Sequence, residues 1–190
     1  MLTLQDLAKN FPPATVVPAP LARLLEYQNA VPDFYSGSFE LDHSGADSVY
    51  HWFDRDEQVA RQFAIFGHGG DGSLYGYWFY SDKTLLTAPI VFLGSEGVGN
   101  TILANSFEEF LALLSLGYTE LGFALSKPEY NVGTRIDEAL LHFRGWLDRE
   151  FKIQVPNTHD TIVRAAHNAH PDLGTWIEQW MQRHYGSSII

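Results

Sequence analysis

The sequence Gly67-His68-Gly69-Gly70-Asp71-Gly72-Ser73 lies between two apolar segments, Gln62–Phe66 and Leu74–Tyr80. Glycine and aspartate favour the backbone conformations of tight turns, and such turns join antiparallel strands. Successive side chains of a strand point to opposite faces of the sheet. The two predicted sets are Tyr75, Tyr77 and Phe79 on one face and Leu74, Trp78 and Tyr80 on the other. The stretch therefore predicts a β-hairpin with large side chains on both faces.

Other short segments with a β pattern flank this hairpin in the chain. The candidates are Ser38–Leu41, Val49–Phe53, Ile90–Leu93 and Thr101–Ala104. Ile90–Leu93 is apolar at every position, which is typical of a strand buried on both faces. Thr101–Ala104 follows a glycine-rich loop, so we predict that it pairs with Ile90–Leu93.

Helical patterns stand on either side of the predicted strands. Pro20 suits a first helical turn, leucines follow at helical spacing, and Pro32 ends that helix. Ser106 and Glu109 form a capping box, which begins a second helix that stops at Gly117. We expect three apolar side chains of the second helix to pack against the central strand: Phe107, Phe110 and Leu114.

The chain becomes helical again after Pro128. Apolar residues recur there in three stripes: Ile136, Leu140, Phe143, Leu147 and Phe151; Ile162, Val163 and Ala166; and Leu173, Trp176, Ile177, Trp180 and Met181. The third stripe is too apolar to remain in water, so we expect it to cover one face of the sheet. A dimer contact is the alternative, which leaves both a monomer and a homodimer open.

The order of these elements predicts the fold class. Strands cluster in the middle of the chain and helices at its ends, without βαβ alternation. This order indicates an α+β fold, with a central, mostly antiparallel sheet, flanking helices and a helical C-terminal extension. We predict a single domain over residues 1–190, with an α+β core over 20–126 and the helical extension over 127–190.

The composition excludes several classes of protein. The 190 residues contain no cysteine, which excludes disulfide frameworks, thiolate metal sites and cysteine nucleophiles. With 12 basic and 23 acidic residues the net charge is −11, which argues against binding to nucleic acid. We find no apolar run typical of a membrane span or a signal peptide, so we expect a cytoplasmic protein with no membrane partner.

The sequence contains no strong catalytic, cofactor or metal motif. Gly94–Gly99 lacks the Lys-Ser/Thr of a P-loop and precedes a predicted strand rather than a helix. His68, Asp71 and Glu96 are the best acid–base candidates, yet histidine and aspartate are common in such turns. Three histidines suit zinc but lack an evident fourth ligand: His159, His167 and His170. We therefore predict no enzyme, no cofactor and no metal.

Acidic residues are unevenly distributed along the chain. Between Leu24 and Asp54 there are six acids and no lysine or arginine: Glu26, Asp33, Glu40, Asp42, Asp47 and Asp54. Asp56 and Glu57 follow after Arg55. Such a segment is either a solvated face or a negative field that attracts and orients a basic partner.

Several stretches of the chain resemble the SUKH superfamily, which joins fungal cell-wall-synthesis regulators to bacterial immunity proteins. They are Leu25–Asn29 with Tyr35–Leu41, then Phe66–Trp78, then Pro89–Gly97 with Asn105–Leu111. The resemblance covers about residues 20–117 and consists of core and turn residues. It implies a small α+β domain with a central sheet and flanking helices, and it does not extend to the segment after Pro128.

The resemblance also implies a function, since many bacterial members are immunity proteins that bind and neutralise toxins without catalysis. Because this chain is acidic, we expect a protein partner, first of all a basic toxin such as a nuclease. The predicted acidic contacts are Asp42, Asp47, Asp54, Asp56, Glu57, Asp71 and Glu96. Tyr75 or Tyr77 is the predicted central aromatic contact.

A second class of function stays open at this point. The chain is alternatively a small-molecule or peptide-binding regulatory module linked to envelope or cell-wall control. Its predicted pocket lies near Trp52, Trp78 and the two glycine-rich loops.

Overall fold

The computed structural model describes residues 1–13, 15–32, 34–127 and 132–186, and the core of these residues is one antiparallel sheet. Its strands are β1 (Glu40–Leu41), β2 (Phe63–His68), β3 (Leu74–Trp78), β4 (Ile90–Leu93) and β5 (Thr101–Ala104). They pair in chain order, each antiparallel to the next. Asp33 and Pro128 of the sequence predictions lie outside the described residues.

The predicted hairpin is confirmed. β2 and β3 pair from Phe63 opposite Trp78 to His68 opposite Leu74, with an irregularity between Ile65 and Gly67. The Gly69 N–H donates to the Ser73 carbonyl at 2.9 Å and closes the turn. The alternation of side chains is also confirmed, because the two predicted sets belong to two separate apolar clusters.

Helices cover both faces of the sheet. They are α1 (Leu4–Ala8), α2 (Ala19–Ala30), α3 (Gly45–Trp52), α4 (Glu57–Ala60), α5 (Phe107–Leu114), α6 (Leu121–Ser126), α7 (Glu138–Phe151), α8 (Asp160–Ala169) and α9 (Leu173–Tyr185), with a 3₁₀ turn at Tyr80–Asp82. Apolar residues of α1, α2, α5, α6 and α7 pack with Tyr75 and Tyr77 on one face. Apolar residues of α3, α4 and α9 pack with Trp78 on the other. Within the described helices, none has the length and apolar content needed to cross a membrane.

The C-terminal helices wrap around one edge of the sheet. α7 packs on the first face, α8 lies against β5 with Val163 in one cluster and Ala166 in the other, and α9 packs on the second face. The Trp176 ring lies 5.3 Å from that of Trp78. The expectation that the third apolar stripe covers the sheet is therefore confirmed, although its last member, Met181, is 37% exposed.

Both edges of the sheet are closed by side chains or helices. At β1, the Gln28 side-chain amide donates to the Leu41 carbonyl at 3.1 Å and accepts from the Leu41 N–H at 2.7 Å. At β5, α8 covers the edge, and His167 Nε2 lies 2.9 Å from the Ile102 carbonyl oxygen. A partner strand would first have to displace Gln28 or α8, which is how natural sheets avoid edge-to-edge pairing.

Some predicted elements were wrong in type or extent. Val49–Phe53 is not a strand, because Val49 lies in α3 and Phe53 caps it, and both side chains are buried on the same side. Residues four positions apart lie on the same face of a helix and also on the same face of a strand, so this spacing alone does not distinguish the two. Ile136 is 61% exposed, because Asp137 caps α7 by accepting from the Leu140 N–H and the helix begins only at Glu138.

The packing predicts the effect of removing one ring from the core. Phe110 in α5 is fully buried and its ring contacts those of Phe39, Phe66 and Tyr75. We expect Phe110→Ala to lower the free energy of unfolding by about 3–5 kcal/mol, since it leaves a cavity. Chemical denaturation measures this, with Phe34→Ala, at a half-exposed ring, as the mild control. An unchanged midpoint for Phe110→Ala would contradict the packing.

A second prediction concerns pH. His170 Nδ1 lies 2.8 Å from the Tyr80 hydroxyl, and its Nε2 lies 3.1 Å from Asn105 Oδ1. Burial, helped by the charge of Lys83, lowers the pKa of His170 below its usual 6.5. The unfolded chain then takes up this proton more readily than the folded one, so stability should fall as the pH drops below 6.5. His170→Gln should show a smaller fall between pH 7.5 and 5 in unfolding titrations; an equal fall would refute the assignment.

Candidate functional site

The two glycine-rich loops lie side by side at one end of the sheet. Residues 69–73 join β2 to β3, since the predicted loop residues Gly67 and His68 end β2, and residues 94–100 join β4 to β5. Because Leu74 pairs with Leu93, the loops leave the sheet from neighbouring strands. The Ser95 hydroxyl donates to Asp71 Oδ2 at 2.9 Å and links them. We call residues 67–73, residues 94–100 and Glu40 the loop surface.

The hairpin loop is held by its own aspartate. Asp71 Oδ1 accepts from the Ser73 N–H at 3.1 Å and from the Ser73 hydroxyl at 2.7 Å. Partial burial alone would raise the pKa of Asp71, but the hydrogen bonds from Ser73 and Ser95 outweigh it and lower this pKa. Asp71 is therefore an ionised carboxylate in a defined position at the end of the sheet.

The second loop is held by Asn100. Its side chain accepts from the Gly94 N–H at 3.0 Å and donates to the Gly97 carbonyl at 2.9 Å. The Trp52 indole N–H donates to the Gly94 carbonyl at 2.9 Å and fixes the start of the loop. A Cβ at Gly94 would lie 1.9 Å from the Val98 carbonyl oxygen, so only glycine fits there. The loop returns directly into β5, as the sequence predicts, and Glu96 is exposed in it.

β1 brings one further acid, Glu40, to the same end of the sheet. Glu40 is opposite His68 in the register, and His68 Nε2 lies 3.2 Å from Glu40 Oε1. Asp42 follows β1. Partial burial alone would raise its pKa, but hydrogen bonds from Ser44 and from the His43 N–H, together with the electrostatic effect of the nearby His68, lower it. The Asp42 N–H donates to the Phe66 carbonyl at 3.1 Å, two residues before His68 in β2, so Glu40 is closer to the loop surface than the predicted contact Asp42 is.

The other predicted acids lie at the far end of α3, and they are largely used within the protein. Asp54 accepts from the Tyr185 hydroxyl at 3.2 Å and lies 3.4 Å from His184 Nε2. Asp56 caps α4 and accepts from the Trp180 indole N–H at 3.0 Å, the leading cause of its lowered pKa.

The prediction of one continuous acidic face is therefore corrected. The eight residues of α3, about 12 Å of helix, separate Asp42 from the group at Asp54 and Asp56. Asp47 is exposed in the first turn of α3, while Glu57 pairs with Arg61 at 2.6 Å. The sequence contains one indication of this division. Arg55 and Arg61 lie close to the second group of acids in the chain, whereas no lysine or arginine lies near Asp42.

The prediction of a central aromatic contact was wrong. Tyr75 and Tyr77 are each only 2% exposed, because they lie on the sheet face that α2, α5 and α7 cover. The Tyr75 hydroxyl accepts from the Gly122 N–H at 3.0 Å, and burial raises the pKa of both phenols. Neither ring is available to a partner.

The predicted pocket near Trp52 and Trp78 is also corrected, since the Trp78 indole is fully buried and the Trp52 indole binds Gly94. An open groove of about 340 Å³ lies instead between the second glycine loop, the end of α6 and residues 174–181 of α9. Val98 and Met181 line it, and both are partly exposed. Sequence reasoning missed Val98, and it assigned Met181 to a buried stripe.

The histidines considered for zinc face different partners. The ring of His159 bonds to the Tyr118 hydroxyl, that of His167 to Thr101, and that of His170 to Tyr80. Within the part of the chain that the structure describes, no three histidine, aspartate or glutamate side chains are placed to hold a metal ion. At the loop surface, the His68 ring turns to the Gly69 carbonyl at 3.1 Å and to Glu40.

The role of Asp71 in holding both loops can be tested. Asp71→Ala removes the acceptor of Ser73, whose side chain is buried, and of Ser95. We expect a loss of about 1–3 kcal/mol in stability and faster amide exchange over residues 69–73 and 94–97. Glu96→Ala, at an exposed site on the same surface, is the matched control and should leave exchange unchanged. Equal exchange in both variants would contradict the role.

Comparison of the chain with protein-family models, with curated proteins and with solved structures found no match. The SUKH-type resemblance therefore stays a prediction from the residues quoted above, and the functional conclusion depends on the geometry of the chain itself.

Proposed function

We propose that this chain is a non-enzymatic binding protein of the immunity type, which neutralises a basic protein toxin, such as a nuclease, by binding it in the cytoplasm. The observation that supports this most is the grouping of Glu40, Asp71 and Glu96 at the loop surface. These carboxylates come from segments far apart in the sequence, and the sequence of the loop surface contains no lysine or arginine.

The charge of this surface suits the recognition of a basic protein. A nuclease domain is basic because it must hold phosphates, and a negative surface uses that same field. Complementary charge raises the association rate to as much as ~10⁸–10⁹ M⁻¹s⁻¹ at low salt, and the effect weakens as salt screens it. With a net charge of −11, the whole chain adds to this attraction.

The rigidity of the two loops supports binding as well. Asp71 and Asn100 use their side chains to fix the loops that carry them, and Trp52 fixes the start of the second loop. A surface that is already ordered loses little conformational entropy on binding, which leaves more of the contact energy for affinity. Since both sheet edges are closed, the partner binds side chains and loops in this proposal, without strand addition.

The test uses charge-neutral variants of equal size. The triple variant Glu40→Gln, Asp47→Asn and Glu96→Gln removes two carboxylates of the loop surface and the exposed carboxylate in the first turn of α3. The matched control removes three exposed carboxylates from α7: Glu138→Gln, Asp148→Asn and Glu150→Gln. We expect the first variant to associate roughly tenfold more slowly with the toxin at low salt, with little change in dissociation. The control should associate at nearly the wild-type rate.

The toxin for this experiment is sought among proteins encoded by adjacent reading frames and co-expressed with each variant, and association rates are measured across a salt series. Loss of protection from the toxin in the first variant, together with a weaker salt dependence, is the expected result. An association rate that changes neither with salt concentration nor with the three substitutions would refute electrostatic recognition by this surface.

A further inference from the structure

A separate groove opens between α2 and α7, the helices that cover the first face of the sheet. Its volume is about 300 Å³, and its lining is mainly apolar and aromatic. Tyr27, Ala30 and Val31 line it on the side of α2, and His142 and Trp146 line it on the side of α7. A groove of this volume and lining is at the lower end of the range that binds small molecules. We call it the α2–α7 groove.

The aromatic wall of this groove is held in place by contacts within the protein. The Tyr27 hydroxyl lies 3.0 Å from His142 Nδ1, and the centre of the Tyr27 ring lies 4.5 Å from that of Trp146. Tyr27 is buried, whereas Trp146 is half-buried and His142 is exposed. A flat ring that enters the groove therefore meets aromatic groups that are already ordered, which lowers the entropic cost of binding.

The rim of the groove carries charges of both signs. Arg23 Nη1 lies 2.9 Å from Glu26 Oε2, and both side chains are exposed. Such a surface pair is weak, and a guanidinium has five N–H donors, so Arg23 keeps donors for a second carboxylate. Glu150 also lines the groove, and its charge acts on Arg23, but it makes no hydrogen bond or ion pair with the residues that the structure describes.

The balance of these charges favours one class of ligand. Arg149 is close enough for its charge to act on Tyr27, so two guanidinium groups stand against the carboxylates of Glu26 and Glu150. A ligand that is only cationic or only anionic would meet one group of its own sign beside each group of opposite sign. A zwitterion instead offers its ammonium group to Glu150 and its carboxylate to Arg23, and hydrogen bonds between charged groups are the strong ones.

We propose that the α2–α7 groove binds a free aromatic amino acid. The ring of the ligand packs against Trp146 and Tyr27, its ammonium group meets Glu150, and its carboxylate meets Arg23. This inference goes beyond the proposed function, because no residue of the loop surface except Glu40 comes from a segment near α2, and Glu40 does not line this groove. The chain thereby has a second binding site, for a small ligand.

The test follows the five tryptophan indole N–H signals by NMR during titration of the whole chain with L-phenylalanine. The Trp146 signal, identified by its loss in Trp146→Leu, should shift as the ligand binds. The signals of Trp52 and Trp180 should stay in place, since their N–H groups donate to Gly94 and Asp56 elsewhere in the protein.

Three control compounds each lack one part of the ligand. Phenethylamine lacks the carboxylate, phenylpropionate lacks the ammonium group, and L-alanine lacks the ring. We expect each of them to bind at least roughly tenfold more weakly than L-phenylalanine, because each loses one of the three contacts.

Variants locate the two charged contacts. Glu150→Gln should weaken binding of L-phenylalanine roughly tenfold and should not weaken binding of phenylpropionate, which has no ammonium group. Arg23→Gln should weaken binding of L-phenylalanine by a similar factor and should not weaken binding of phenethylamine, which has no carboxylate. Glu138→Gln is the matched control: it removes a carboxylate from the first turn of α7, outside the groove, and should bind like the wild type.

Four outcomes would overturn the inference. The first is an unmoved Trp146 signal with L-phenylalanine at millimolar concentration, and the second is equal binding of all four compounds. The third is an equal effect of Glu150→Gln and Glu138→Gln. The fourth is a Trp146 signal that shifts with protein concentration when no ligand is added, which would assign the groove to a second copy of this chain. None of these outcomes bears on the proposed function, because Glu40, Asp47 and Glu96, the residues of its test, lie outside this groove.

Discussion

The sheet requires an apolar cover on both of its faces, and most of the structure follows from that requirement. β3 carries Tyr75 and Tyr77 in one direction and Leu74 and Trp78 in the other, and all four are nearly or fully buried. At ~25 cal/mol for each square ångström of apolar surface removed from water, rings of this size dominate the energy of the core. One layer of helices cannot bury both sets. The chain therefore needs helices before, between and after its strands.

The C-terminal segment provides much of the second layer, and its histidines mark where it meets the rest of the protein. Each histidine among the described residues from 138 to 186 contacts the α+β core. The pairs are His142 with Tyr27, His159 with Tyr118, His167 with Thr101, His170 with Tyr80 and His184 with Asp54. Imidazole suits this position because it is flat enough to pack and still satisfies a hydroxyl or carboxylate at the border of the core. The sequence presents three of them, His159, His167 and His170, as candidates for zinc binding.

The carboxylates divide into those that hold parts of the protein together and those that are exposed to solvent. Asp56 accepts from the Trp180 indole and caps α4, so it holds α9 against the sheet. Glu96 is exposed at the tip of a loop that other side chains hold in place. Asp71 does both, since it orders two loops and is itself exposed. The net charge therefore gives the sign of the electrostatic field around this protein. The internal hydrogen bonds decide which carboxylates are occupied within the fold and which are left exposed to a partner.

The sequence by itself determined the hairpin, the strands β4 and β5, the capped helix α5 and the α+β class. Each depends on neighbours along the chain: a glycine turn, an unbroken apolar run, or a serine and a glutamate three positions apart. It misassigned Val49–Phe53, where a pair of buried residues four apart fits two periodicities, and only packing against β2 and α9 selects the helix.

Tertiary structure alone decided the candidate site. The pairing of β3 with β4 sets the glycine loops side by side, the pairing of β1 with β2 adds Glu40, and the folding of α9 over the sheet makes the Val98 and Met181 groove. Tyr75 and Tyr77 are not part of the site, because helices that are distant in the chain cover their face of the sheet. The sequence proposed Asp71 and Glu96 as contacts, but contacts between residues far apart in sequence leave no local pattern. Neither the joining of their two loops nor the burial of the two tyrosines was therefore visible before the chain was folded.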